Sequence, residues 1–157
     1  MRVKHVMTKN PTCCLITDKA RTVAGIMRDE HTGIVPVIDN EQSQKIVGVV
    51  TDRDLCMNVV AEGRGPDAVT VEECMTATVV TCSTTDSVEK ATELMKDNQV
   101  RRIPVVDGER RVQGIVSMAD LVTRADLKVG AMHETLKKVS APTPEPSKPR
   151  AQSRRVA

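Results

Sequence analysis

The sequence predicts a mixed α/β (α+β) fold, two β-α-β-β-α units packed sheet to sheet with pseudo-two-fold symmetry. Three observations lead there. First, the chain repeats itself: Met7-Thr8 and Thr17-Asp18 recur as Met75-Thr76 and Thr85-Asp86, and IVPVID (34–39) recurs as RIPVVD (102–107). The spacing is constant until Gly48 and Gly114, where it shortens by two residues. The first copy's loop, NEQSQK, is longer than its counterpart, a slip that a surface connection tolerates. Second, each copy alternates a helical apolar stripe with β-branched runs. Third, each copy spans only about 50 to 60 residues, too few to bury a generous core alone.

In each copy a short extended stretch comes first, Thr12 to Ile16 and Val79 to Cys82. A helix follows, because Val23, Ile26 and Met27 share one stripe, as do Val88, Ala91, Leu94 and Met95. Asp18 and Ser87 are its candidate N-caps. GIVPVI and RIPVV are strands that run into Asp-Asn and Asp-Gly hairpin turns. Their partners are KIVGVVT and RVQGIVS, and second helices begin at DRDLCMNVV and MADLVTRA. The expected boundaries are 1–61 for the first repeat, 62–70 for a linker broken by Gly and Pro, and 71–128 for the second repeat. Residues 129–139 form a C-terminal helix or extension. The Pro-rich, basic segment 140–157 has too little to bury and is expected to be disordered.

Composition excludes several function classes. Phe, Tyr and Trp are absent, so the core rests on aliphatic side chains and eight methionines, and stacking on single-stranded nucleic acid has no platform. A net charge of +2 is far from the basic excess of a nucleic-acid binder. No apolar run approaches a membrane span and MRVKHVMTKNP lacks a signal-peptide core, so the expected location is cytoplasmic. The five cysteines are odd in number and lack CxxC spacing; they read as small buried hydrophobes, with the vicinal pair Cys13-Cys14 as a candidate redox sensor.

Both copies carry Met-Thr near the start, h-Pro-Val-h-Asp or Pro-Val-Val-Asp in the middle, and Gly-h-h-[ST]-x-x-Asp-Leu at the end (GVVTDRDL, 48–55; GIVSMADL, 114–121). In this order and twice over, these segments resemble a tandem pair of cystathionine β-synthase (CBS) domains, a Bateman module of the small stand-alone bacterial type. The resemblance covers roughly residues 3 to 128. It implies a regulatory module, usually a homodimer, that senses adenine-containing ligands such as AMP, ADP or ATP in a cleft between the repeats. No cofactor is obligatory, and any regulated protein partner acts in trans.

The terminal motif has two readings. [ST]-x-x-[DE] at a helix start is the pattern of a capping box, although Asp is shorter than the favoured Glu or Gln. The same strand-to-helix turn presents N–H groups and a hydroxyl to an anion, with an acidic group for vicinal ribose hydroxyls. By motif position, the resemblance assigns the ligand contacts to Thr51 and Asp54 in one copy and Ser117 and Asp120 in the other. It also sets the first motif opposite VRRIPVV, where Arg101 and Arg102 join Arg53 as phosphate partners. Arg101 and Arg102 read equally well as a solvated strand edge or as ion pairs with Asp97 or Glu109. The second motif faces TGIVPVI, which offers no cation, so the Asp54 site is expected to prefer phosphate and the Asp120 site to be weaker or to suit a less charged adenosyl compound. Ile103 and Val35 are expected to sandwich the base, though both are also core strand positions.

Nothing assembles into a catalytic set: His5, His31 and His133 stand apart from any nucleophile, and no phosphate loop is present. Asp52 and Asp54 diverge on a helix, which argues against a shared metal. The alternatives to a nucleotide sensor are a ligand-free interaction and dimerisation scaffold, and a metal or redox sensor using the cysteines and His5. For the homodimer, the expected contact surface is helical, 19–30 with 87–98, or 54–61 with 120–128.

Overall fold

The structure is a computed structural model that describes residues 1–125 and 129–141. The end expected for the second repeat, 126–128, and the expected disorder of 142–157 lie outside the described residues.

After a 3-10 turn at Val3–His5 come β1 (Thr8–Lys9), β2 (Cys14–Leu15), α1 (Ala20–Asp29), β3 (Ile34–Ile38), β4 (Ile46–Thr51) and α2 (Asp52–Leu55), which runs on as π-helix through Cys56–Val60. The second copy supplies α3 (Val71–Cys74), β5 (Cys82–Ser83), α4 (Val88–Asp97), β6 (Arg102–Val106), β7 (Val112–Ser117) and α5 (Met118–Arg124), and α6 (Val129–Val139) follows. Ser87 caps α4 by accepting the Lys90 N–H at 3.2 Å. Asp18 does not cap α1, whose N-cap is Lys19; its carboxylate turns back to accept the Leu15 N–H at 2.8 Å.

One sheet has the order β2-β3-β4 and the other β1-β7-β6-β5. In each, the hairpin is antiparallel, with Ile34 opposite Thr51 and Arg102 opposite Ser117; β2 and β5 join in parallel and β1 joins antiparallel. Ile34, Ile46, Val49, Val106 and Ile115 are buried together between the sheets. The outer faces are covered by helices: Val23 and Met27 of α1 bury in one core, and Val88, Ala91 and Met95 of α4 with Leu121 of α5 in the other.

The repeats exchange their leading segments. β1 pairs with β7, and Val3 and Val6 bury in the second repeat's core. Thr76 bridges Val49 of β4, and Val69, Val71 and Cys74 bury in the first repeat's core. The packed halves therefore do not follow the sequence boundaries at 61 and 71. The segment between those boundaries is docked as well: the Ala20 N–H donates to the Val69 carbonyl at 2.9 Å and the Arg21 N–H to Pro66 at 3.2 Å. Glycine makes the exchange possible. A Cβ on Gly114 would lie 2.7 Å from the Thr8 carbonyl oxygen, and one on Gly48 would lie 3.1 Å from that of Thr76.

Candidate functional site

Both copies of the terminal motif close on themselves. The Thr51 hydroxyl accepts the Asp54 N–H at 3.1 Å, while Asp54 Oδ2 accepts the Thr51 N–H at 2.8 Å and its hydroxyl at 2.9 Å. Ser117 and Asp120 repeat this with 3.1, 2.9 and 2.6 Å. Despite its length, Asp completes the capping box in both copies. The expected free donors at the start of α2 are spoken for, and so is the first donor of α5. The Asp52 N–H donates to the Gly33 carbonyl and the Arg53 N–H to Asp52 Oδ1, and in the second copy the Met118 N–H donates to Arg101. At the first turn an anion must therefore be held by side chains.

What remains open is the other oxygen of each carboxylate. Asp54 Oδ1 accepts a hydroxyl from Thr76 at 3.3 Å, across from the second repeat's leading segment. Asp120 Oδ1 faces Arg124 at 3.4 Å on its own helix.

Two clefts open beside these motifs. One, of about 260 Å³, is lined by Thr51, Arg53 and Asp54 and, from the other repeat, by Thr76, Val79, Val80, Val100, Arg102 and Pro104. The other, of about 340 Å³, holds Ser117 and Asp120 opposite Glu30, His31 and Ile34, with Thr8, Lys9 and Arg102. Ile34 and Arg102 line both.

Several expected contacts fall elsewhere. Val35 and Ile103 are fully buried in the two helix-covered cores and line neither cleft. Successive strand residues point to opposite faces, so when Arg102 and Pro104 face the cleft Ile103 must face α4, and when Ile34 faces it Val35 must face α1. Arg101 is turned away as well, its guanidinium 3.5 Å from the Ser140 hydroxyl. The ion pairs considered for these arginines do not form: Glu109 pairs with Arg111 at 2.5 Å, and among the described residues no carboxylate pairs with Arg101 or Arg102. The Asp120 cleft is not free of cations, since Lys9 and Arg102 line it. Sequence reasoning missed Thr76, Pro104 and Lys9, and within TGIVPVI it chose Val35 where Ile34 meets the clefts. The charge of Arg102 in an apolar run was the available sign of which face of β6 meets the cleft.

The CBS domain family model matches residues 3–61 and 71–126, both copies and most of the chain. The chain belongs to the CBS domain family. A relative in Methanopyrus kandleri is 36% identical over 135 residues, covering 86% of this chain and 65% of its own length, so the chain spans less than two thirds of that protein. Among solved structures, Hypoxic Response Protein I with two coordinated zinc ions is similar at 26% identity and a TM-score of 0.71, over 79% of this chain and 98% of that one. The CBS domain pair of protein MJ0100, in complex with 5′-methylthioadenosine and S-adenosyl-L-methionine, is similar at 28% identity and a TM-score of 0.70, over 78% of this chain and 93% of that one.

Cys56 is exposed, but the other four cysteines of this CBS pair are wholly or partly shielded. Burial pushes the Cys13 thiol up to about 11, with Glu30 adding to the effect, and Cys14 up to about 12, with Asp18 adding to it. Cys82 is likewise raised to about 12 by burial, and Cys74 is raised. These thiols are protonated at neutral pH and poor nucleophiles. Among the described residues no group of three or more His, Cys, Asp or Glu side chains is arranged to hold a metal ion. No helix among them is long and apolar enough to cross a membrane.

Proposed function

We propose that this CBS pair is a regulatory, non-catalytic module that binds an adenosine-containing ligand, an adenine nucleotide such as AMP, ADP or ATP, in the clefts between its repeats. The observation that carries this is the convergence on one cleft of a carboxylate, Asp54, and two guanidinium groups, Arg53 and Arg102, from opposite repeats. Neither guanidinium has a carboxylate partner among the described residues. An unpaired arginine fork suits phosphate oxygens, and Asp54 Oδ1 retains capacity for a ribose hydroxyl. Aliphatic contact with Val79, Val80 and Pro104 takes the place of aromatic stacking on the base. The adenosyl ligands of the MJ0100 pair support the class of ligand. Volumes near the lower end of the usual range, about 300–1,000 Å³, favour a mononucleotide over a dinucleotide.

Because each cleft is walled by both repeats, a ligand that binds one packing better than another shifts the module toward it. We place the module in the cytoplasm as a homodimer that acts on a protein partner in trans. Support for a helical dimer surface comes from Met57, Val60 and Val122, which are exposed on the 54–61 and 120–128 segments, whereas α4 of the alternative surface is already covered by α6.

The ligand-free scaffold is the second reading, and the complete capping boxes favour it, since Asp54 and Asp120 are satisfied with no ligand. One set of measurements separates the two. Lacking Trp and Tyr, the protein scarcely absorbs at 280 nm, so a co-purified adenine ligand dominates near 260 nm. Calorimetry with AMP, ADP, ATP and S-adenosylmethionine should give heat that Asp54→Ala diminishes. No heat and no change in melting with any of them would leave the scaffold.

A further inference from the structure

The two halves of the molecule are built alike, yet the midline between the clefts is not. Ile34 and Arg102 occupy equivalent positions in the two copies: each opens the central strand of its hairpin and sits opposite its own motif's cap residue, Thr51 or Ser117. Both side chains line both clefts. One is an aliphatic group and the other a guanidinium, so symmetry supplies two cavities but a single midline cation. Arg102 is exposed and lies over Gly33, with one terminal nitrogen 3.2 Å from where a Cβ on that glycine would stand. Among the described residues no carboxylate forms an ion pair with it, although Asp52 Oδ2 stands over the same glycine, 2.7 Å from that Cβ position. Each cleft has its own outlying cation, Arg53 in one and Lys9 in the other.

We infer that Arg102 is a cation shared between the two clefts, so that a phosphorylated ligand in one cleft weakens the binding of a second in the other. This rests on the nucleotide reading above and adds to it a coupling between the sites. A guanidinium engaged by phosphate on one side has lost the donors and much of the positive potential it offers on the other. Coupling is reciprocal, so either order of filling shows the same factor. A ligand without phosphate makes no claim on Arg102 and fills the clefts independently.

Calorimetric titration of the full chain with AMP, and in parallel with adenosine, tests this. It is run on the wild type, on Arg102→Met, and on the single-cleft variants Asp54→Ala and Asp120→Ala. In the wild type the weaker AMP site should bind about tenfold or more less tightly than the same cleft does when the other is disabled, the size expected from one charge-assisted contact. A wild type that takes one AMP, while each single-cleft variant also takes one, is the same result in its strong limit. Adenosine should show no such difference, and Arg102→Met should weaken AMP in both clefts while removing the coupling. Ile34→Arg, which restores a second midline guanidinium, should remove it while keeping AMP tight. AMP constants unchanged by disabling the other cleft, coupling that persists in Arg102→Met, or AMP binding in one cleft alone would overturn the sharing while leaving the nucleotide reading standing. No heat from AMP or adenosine in any protein would remove both.

Discussion

Gly114→Ala should unseat the N-terminal segment from the second repeat. A Cβ there would stand 2.7 Å from the Thr8 carbonyl oxygen and 2.7 Å from Met7 Sδ. The sulfur is the movable end of a flexible side chain, but the oxygen belongs to β1, which is fixed against β7 through the Thr8–Ile115 and Lys9–Gly114 pairs. Relief therefore requires β1 to move as a body, and Val3 and Val6 behind it are fully buried in the core. Overpacking of this kind costs about 1–3 kcal/mol, which for a chain of this length lowers the melting temperature by roughly 3–10 °C. Gly48→Ala is the internal comparison, because its nearest backbone atom, the Thr76 carbonyl oxygen, is 3.1 Å away and it should cost less. Gly25→Ala is the opposite control: within α1 nothing lies within 4 Å of the added carbon, so it should stabilise by about 0.5–1 kcal/mol. Melting followed by circular dichroism at 222 nm, with no aromatic side chain needed, ranks the three. Gly114→Ala melting with the wild type, or less perturbed than Gly48→Ala, would refute the close approach of β1 as the reason for glycine.

Three other outcomes follow from the structure. The Glu73 carboxyl is held down to about 2 by the Thr70 N–H, Arg64 and the Thr70 hydroxyl, against 4.5 for a free glutamate, so it contributes stability above 4.5 that is lost as pH falls toward 2; Glu73→Gln should flatten that part of the melting-versus-pH curve, and an unchanged slope would count against the Thr70 cap. At neutral pH a thiol reagent should titrate Cys56 quickly and the other four only on unfolding, because Cys14, Cys74 and Cys82 are buried and Cys13 is raised to about 11; rapid loss of Cys13 or Cys14 would revive the vicinal redox pair. Ile103→Val should cost about 0.5–1.5 kcal/mol in denaturant melts and leave nucleotide affinity unaltered; a tenfold loss of affinity would return Ile103 to the cleft.

The repeat, the helix stripes and the hairpins were legible because each leaves a local periodic trace. Which face of β3 meets the cleft was not, for a physical reason. All five of its residues are buried, so IVPVI carries no alternation between apolar and polar to set the parity, and Val35 was as good a choice as Ile34. β6 is different, since Arg102 is exposed while the four residues after it are buried. That single charge, carried back through the repeat alignment, places Ile34 on the cleft face and Val35 in the core. The exchange of leading segments was hidden because β1 has two residues and pairs with a strand late in the chain, too short and too distant to imprint a pattern. Its trace is indirect: a glycine at the same place in both copies, inside strands that otherwise favour bulk, marks where another backbone comes close.

Capping and ligand binding need not compete for the motif aspartates, because the two carboxylate oxygens do separate work. Oδ2 of Asp54 and of Asp120 each takes the backbone N–H and the hydroxyl of its cap residue, which fixes the rotamer and the turn. Oδ1 is then aimed away from the box. In the first copy it meets a hydroxyl from the opposite repeat, Thr76, a neutral contact that a ribose hydroxyl can join or replace. In the second it faces the guanidinium of Arg124, which also donates to the Val6 carbonyl and so ties that carboxylate to the docked N-terminal segment. The box thus fixes a carboxylate oxygen in place without a ligand, which on the proposed reading would lower the ordering cost of binding. On the nucleotide reading proposed above, the difference at Oδ1 means that a ligand at Asp54 would displace a neutral hydroxyl, whereas one at Asp120 would share its carboxylate with an existing charge partner.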